Sequence, residues 1–327
     1  MAGDIQNLVE RCYKTAHNRQ QIQYSDLEML FDIPHEYIHV LTKAAGRLTI
    51  DAQGKSVDVE QLNNIKKNAC SEDCSFCGQS AFFDTGIETY SLPPSEQILS
   101  DAQRAKEQGA SSYCLVAAWR EPPLRDFERI CDIVRKIRQE VDISVECSLG
   151  FLTEQQARAL KEAGVKRYNH NLETAPSKFP DICTTHTFQD RVNTLNVARE
   201  AGLELCTGGI IGLGESRQQR MELSWEINKL NPEEVTINIL VPIPGTPLEL
   251  QTPLSQYEIA RMFAVLRLLL PDSIIKISGG RERATNDSGE SLLLGGANGI
   301  ITNGYLTMPG NSSDNDVSMI RRAGLEA

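Results

Sequence analysis

The sequence has no apolar run approaching the roughly 18–20 residues that a membrane span requires. Its most apolar helix-like stretch, Met262 to Leu270, is interrupted by Arg267. Positive charge is in deficit, with 33 Lys and Arg against 44 Asp and Glu, a formal net charge of −11. That argues against a nucleic acid or an acidic membrane as partner, since both favour a basic face, but it leaves room for a local basic pocket. The opening residues, MAGDIQNLVE, have neither a basic start nor an apolar stretch, so they do not read as a signal peptide. The expectation is a cytoplasmic chain. No GxGxxG opens a helix after the first strand, which argues against a doubly wound dinucleotide-binding sheet. No CxxC is paired with a second CxxC or an HxxxH, which argues against a structural zinc site.

What is present is ordinary globular material: 40% hydrophobic and 24% charged residues in 327. A chain of this length buries roughly 75% of its extended surface, so the core is ample. Nine cysteines in a reducing compartment point to thiolate or metal chemistry rather than disulfides.

From about Ser91 one pattern recurs: a polar helix with apolar residues at three- and four-residue spacing, a glycine, then a short β-rich run. Helices are expected over 95–108, 128–140, 153–163, 188–201, 217–230 and 255–270. Strand-like runs lie at 111–119, 143–149, 166–173, 203–214, 234–242 and 274–278. A last unit comprises 290–297, the run GIITNG and 314–323, and a further strand is expected just before Cys70. About eight βα units imply a parallel sheet closed into a (β/α)8 TIM-type barrel, with residues 63–327 as the barrel domain. Residues 1–62 read as an N-terminal helical extension (5–16, 24–32 and 35–48) packed on one end of the barrel.

The run KNACSEDCSFCGQS holds Cys70, Cys74 and Cys77 as CxxxCxxC. Three thiolates within eight residues can grip one face of a metal cluster, and iron–sulfur clusters usually take four cysteines. With no fourth nearby, one iron is left open to bind a small molecule, the mark of a catalytic site. A zinc knot with a distant ligand is the structural alternative. Barrel active sites lie at the C-terminal ends of the strands. There the chain offers Cys114, Ala117 and Trp119, then Asn169, His170, Asn171 and Glu173, then Cys206, Asn238 and Lys276. Alternation along a strand turns Asn169, Asn171 and Glu173 inward and His170 outward. Carboxamides suit a ureido or nucleoside ligand, and a carboxylate suits ribose hydroxyls.

CxxxCxxC with an aromatic, Phe76, before its last cysteine resembles the radical S-adenosylmethionine signature. ACSEDCSFCGQS, CLVAAWREP, YNHNLET, TTHTFQDR, LCTGGIIGLGE, INILVPIPGTPL, ISGGRE and LLLGGANGIITNGYLT narrow the resemblance to the biotin synthase family over nearly the whole chain. That resemblance implies sulfur insertion into dethiobiotin to form biotin, by 5′-deoxyadenosyl radicals generated from S-adenosylmethionine. It implies a [4Fe-4S] cluster on Cys70, Cys74 and Cys77, and an S-adenosylmethionine surround of Phe76, Ala117, Trp119, Asn171, Glu173 and Arg191. Glu173 stands where the family commonly has aspartate. It further implies dethiobiotin contacts at Asn169, Asn171 and Asn238, and a sacrificial auxiliary iron–sulfur cluster on Cys114, Cys147, Cys206 and Lys276, with Glu146 and Cys183 as alternative ligands. A flavodoxin or ferredoxin electron donor follows from the family, and a homodimer is expected.

The auxiliary site departs from the family pattern. The usual arginine is replaced by Lys276, and an ammonium is no equivalent of a guanidinium. The strand-three cysteine falls one residue late, which puts Glu146 in the expected position and Cys147 beside it. A one-residue slip turns a side chain to the other face, so either Cys147 or Glu146 points inward. Cys183 is a spare cysteine, either a small buried hydrophobe or a further ligand; Cys12 and Cys131 read as packing. These departures point to an auxiliary cluster other than the family's [2Fe-2S], with a larger one as the alternative. The competing functions are a related radical enzyme without sulfur insertion, of hydrogenase-maturation or mutase type, and a non-catalytic iron–sulfur protein.

Overall fold

The computed structural model describes residues 2–327. Eight parallel strands close into a barrel in sequence order: β1 (Asp58–Lys66), β2 (Ser112–Ala117), β3 (Ser144–Ser148), β4 (Arg167–Asn169), β5 (Glu204–Ile211), β6 (Glu234–Ile239), β7 (Ile274–Ile277) and β8 (Gly299–Thr302). β1 begins ahead of residue 63, so the barrel's first strand straddles the boundary read from the sequence.

Three helices precede the barrel: α1 (Ala2–His17), α2 (Tyr24–Phe31) and α3 (Ile38–Gln53). The connections carry α4 (Ser95–Glu107), α5 (Leu124–Glu140), α6 (Glu154–Ala163), α7 (Phe179–Ile182), α8 (Phe188–Glu200), α9 (Arg217–Leu230), α10 (Gln256–Leu269), α11 (Arg281–Ala284) and α12 (Glu290–Leu294); α13 (Ser313–Arg322) follows β8. Local chemistry sets their ends. Thr153, Thr187 and Ser216 form capping boxes at the starts of α6, α8 and α9, which satisfy orphan backbone N–H groups. Gly164 closes α6 with a left-handed residue, φ 102°. The expected start of α5 at residue 128 is corrected to Leu124, because Pro123 already stands at the N-cap with extended backbone.

The N-terminal helices do not cap an end of the barrel as expected; they lie on its flank. Tyr24 meets Trp225 of α9 edge-on, with centroids 5.2 Å apart. Arg261 of α10 donates to the Leu30 carbonyl at 3.1 Å. At Gly46 of α3 an added Cβ would stand 2.0 Å from the Leu294 carbonyl oxygen, so only glycine admits α12 that closely. Apolar faces of the strands and of the surrounding helices merge into one core.

Candidate active site

The lumen is a single cavity running from the Cys70–Cys77 loop down to Cys114, Cys206 and Glu60. At its mouth the three loop cysteines line it together with Phe76. Turn hydrogen bonds fold the loop tightly: Cys77 N–H to the Cys74 carbonyl and Cys70 N–H to the Gln79 carbonyl, both 2.9 Å. Three thiols facing one cavity fit a cluster with an open iron.

The loop is pinned from across the chain. Asp73 accepts the Thr184 and Thr185 N–H groups at 2.9 and 3.2 Å. Glu72 accepts from Arg120 at 2.5 Å and also bonds Thr185 and His186. Burial opposes the charge of Glu72, yet hydrogen bonds from Thr185, His186 and Arg120 hold its carboxyl below the usual range. Sequence reasoning missed Glu72, Asp73 and His186. The available signal was a pair of acids inside the cysteine loop and a Thr-Thr-His run over 100 residues later, in two of the motifs already singled out. Cys183 belongs to this same network, not to an auxiliary site. Its sulfur lies 3.8 Å from that of Cys74, and the hydrogen bond with Cys74 leads the causes that lower its thiol to about 4.

Further along the mouth, Arg191 donates to the Asn171 carbonyl at 2.8 Å and sits 3.3 Å from Glu173. Glu173 has φ 67°, an uncommon backbone for a residue with a side chain. Its carbonyl accepts Ile210 N–H at 2.7 Å, and a Cβ on Gly209 would stand 2.5 Å from that oxygen. The second glycine of LCTGG therefore admits the turn that presents Glu173. Ala117, Trp119, Asn169, Asn171 and Asn238 all line the cavity. Asn238 accepts Gly279 N–H at 3.1 Å, which leaves its amide NH2 to be offered to a ligand. His170 keeps the outward side of β4, stacked with Tyr168, but β4 ends at Asn169 and the ring still borders the mouth.

The floor of the lumen is ionic. Lys276, fully buried, donates to Glu60 and Glu234 at 2.7 Å each, and Asp58 pairs with it at 2.9 Å. Burial opposes its charge, and the carboxylates of Asp58, Glu234 and Glu60 outweigh it and hold the ammonium well above the usual lysine range. Arg167 donates to Glu146 and Glu234 at 2.7 Å and to Glu204 at 2.9 Å. Burial pushes the Glu60 and Glu146 carboxyls up.

This floor corrects two of the expected auxiliary ligands. Cys147 is paired in register with Leu115 and Tyr168. It lies in the apolar core on the helix side, near Cys131, outside the lumen. Glu146 takes the inward place. Lys276 is committed to carboxylates and offers no lone pair. Cys114 and Cys206 do line the cavity. The structure thus fits the loop cluster and does not fit the family's usual auxiliary donor set.

The fold and the loop cysteines define a radical S-adenosylmethionine barrel. The radical SAM superfamily profile matches residues 64–224, and the biotin and thiamin synthesis associated domain matches 236–326. The solved structure of a methylornithine synthase superposes with TM-score 0.85 at 20% identity over 96% of both chains. A hydrogenase maturase from Carboxydothermus hydrogenoformans superposes at 0.82 and 18%, over 99% of this chain and 84% of its own. At such identities both speak for the fold alone.

Sequence relatives are far more similar. A biotin synthase of Nitrosopumilus maritimus is 64% identical over 319 residues, 98% of each chain. One from Cenarchaeum symbiosum is 62% identical, covering 88% of this chain and 90% of its own. The chain belongs to the biotin synthase family. It is accordingly a radical S-adenosylmethionine enzyme that forms biotin, with a [4Fe-4S] cluster and an auxiliary iron–sulfur cluster. The alternatives without sulfur insertion, and the non-catalytic reading, are not favoured.

Proposed function

We propose the following division of labour for turning dethiobiotin into biotin. Cys70, Cys74 and Cys77 hold the [4Fe-4S] cluster at the mouth of the barrel. When bound, that cluster and S-adenosylmethionine supply a carbon radical able to take hydrogen from an unactivated C–H bond. The chain's own residues bind, orient and exclude water. Glu173, held by Arg191 and its left-handed backbone, offers a carboxylate to ribose hydroxyls. Phe76, Ala117 and Trp119 wall the nucleoside.

Asn169, Asn171 and Asn238 are suited to a ureido ring, whose carbonyl needs donors and whose N–H groups need acceptors. Burying such a ring unpaired would cost roughly 1–3 kcal/mol per group, so three convergent amides specify it. An electron donor of the flavodoxin or ferredoxin class, a homodimer and a cytoplasmic setting complete the reading.

The observation that carries it is the single cavity joining the three loop cysteines to Asn169, Asn171 and Asn238. Anaerobic turnover of the reconstituted protein with dethiobiotin, S-adenosylmethionine and reductant tests it. Biotin with 5′-deoxyadenosine in excess is the expected result. Deoxyadenosine without biotin would overturn the substrate assignment while leaving the radical chemistry in place.

A further inference from the structure

On the floor of the lumen, four carboxylates (Asp58, Glu60, Glu146 and Glu234) face only two buried cations, Arg167 and Lys276. The pairing is incomplete at defined atoms. Glu146 accepts Arg167 through one oxygen, and its second, Oε2, has no partner. Glu60 accepts Lys276 through one oxygen, and its Oε1 has none. Both side chains are fully buried. Oxygen donors of Glu60, Glu146 and Glu234 lie within 4.8 Å of one another. A buried carboxylate oxygen with no partner is costly, so such a place is one where a cation belongs.

Two thiols, Cys114 and Cys206, line the cavity beside Glu60, and strand register sets them next to the other two carboxylates. Cys114 pairs in register with Glu146 across β2 and β3, which sets both on the same face. Cys206 pairs with Glu234 across β5 and β6 and with Asn169 across β4 and β5. Asn169 donates to the Cys114 sulfur at 3.4 Å, and Thr236 meets the Cys206 sulfur at 3.1 Å. Sulfur suits soft and borderline metals, carboxylate suits harder ones, and iron takes both.

We infer that the second iron–sulfur centre of this chain is held by mixed donors: the thiolates of Cys114 and Cys206 and the carboxylate of Glu146, with Glu60 as a further oxygen donor. Cys147 and Lys276 take no part in it. Lys276 instead fixes Glu60 from behind, as Arg167 fixes Glu146, the way outer partners orient metal ligands. The inference rests on the sulfur-insertion reading only for the presence of a second centre. Replacing thiolate by a non-thiolate ligand raises the potential of an iron–sulfur centre, as two histidines do in Rieske clusters. A centre with a carboxylate ligand follows that direction.

The test counts iron and sulfide and records Mössbauer spectra of 57Fe-reconstituted protein. The background replaces Cys70, Cys74 and Cys77 by Ala, so all bound iron belongs to the lumen. Iron is expected to remain there and to drop roughly 10-fold or more with Cys114→Ala, Cys206→Ala or Glu146→Gln. Cys147→Ala is expected to leave it unchanged. Glu146→Cys is expected to keep the iron and lower the midpoint potential, which a merely structural Glu146 would not do.

The same spectra in protein with its loop cysteines intact serve as the second measurement should the triple variant fail to fold. There S-adenosylmethionine perturbs the loop cluster and not the lumen centre. Loss of the centre in Cys147→Ala with retention in Glu146→Gln overturns the inference. So does absence of lumen iron in both backgrounds, or a centre indifferent to Glu146. A carboxylate-dependent centre in protein that makes no biotin would leave this inference standing and sink the functional reading alone.

Discussion

The mouth and the floor of the lumen are both buried and polar, but they are built on opposite plans. At the mouth, loop residues are held by local turns and by ties to Arg120 and to the segment 182–186, and hydrogen bonds hold Glu72 and Asp73 below the usual carboxylate range despite burial. On the floor, side chains come from six strands, and burial drives Glu60 and Glu146 the other way. The mouth meets Glu72 and Asp73 with backbone N–H groups, hydroxyls and the side chains of Arg120 and His186. The floor sets charge against charge and leaves oxygens over. Packed barrels usually fill this volume with branched apolar layers. Here the apolar layers lie outside the strands, and the lumen is given to donors.

The largest expected effect separates the two regions outright. Cys74→Ala is expected to bring 5′-deoxyadenosine formation to the reagent background, while thermal unfolding stays near that of the parent. A large fall in melting temperature would show that the mouth also carries the fold. The reverse experiment is Lys276→Met, which strands three carboxylates. Removing one partner of a buried ion network costs roughly 3–5 kcal/mol, read by denaturant unfolding. A neutral result would mean that the floor's pairs do not hold the barrel.

A third ionic cluster, outside the lumen, gives the comparison a reference point. Glu258 on α10 accepts from Arg220 at 2.6 Å, Arg217 at 2.8 Å and His35 at 3.0 Å. Burial raises its carboxyl, and the bonds from Arg217, Arg220 and His35 outweigh that and bring it from 4.5 to about 2. A carboxyl lowered on folding stabilises above its unfolded pKa and loses that contribution as pH falls through the folded one. The contribution is roughly 2–3 kcal/mol. The stability gap between the parent and Glu258→Gln should therefore narrow steadily from about pH 5 downward. A gap constant across that window would place the effect in packing.

The smallest expected effect is steric. A Cβ at Gly208 would meet the Thr236 carbonyl oxygen at 2.0 Å, backbone against backbone. Gly208→Ala is expected to lower stability by roughly 1–3 kcal/mol, and to weaken iron binding at the neighbouring Cys206, measured by iron content.

The same contrast decides what was legible in the sequence. The βα alternation could be read because its punctuation is local: Thr153 and Gln156 start α6, and Gly164 ends it. The loop cysteines could be read because their spacing is itself the ligand geometry. Lys276 was legible as an oddity, but its partners Asp58, Glu60 and Glu234 become neighbours only when β1, β6, β7 and β8 close. The slip at 146–147 left two options that only the register of β3 resolves. Glu72 and His186 sat within quoted motifs, but their bond spans 114 residues, and nothing local announces it.

That long tie has a consequence for how iron arrives. A disordered cysteine loop must lose its conformational freedom as the metal binds, and the cost is subtracted from affinity. Here Asp73 and Glu72 anchor the loop to a segment already folded against the barrel, and Ser75 adds a backbone bond to Ile182 at 2.9 Å. These ties meet part of that ordering cost before iron arrives, and more of the free energy of cluster binding goes into the cluster.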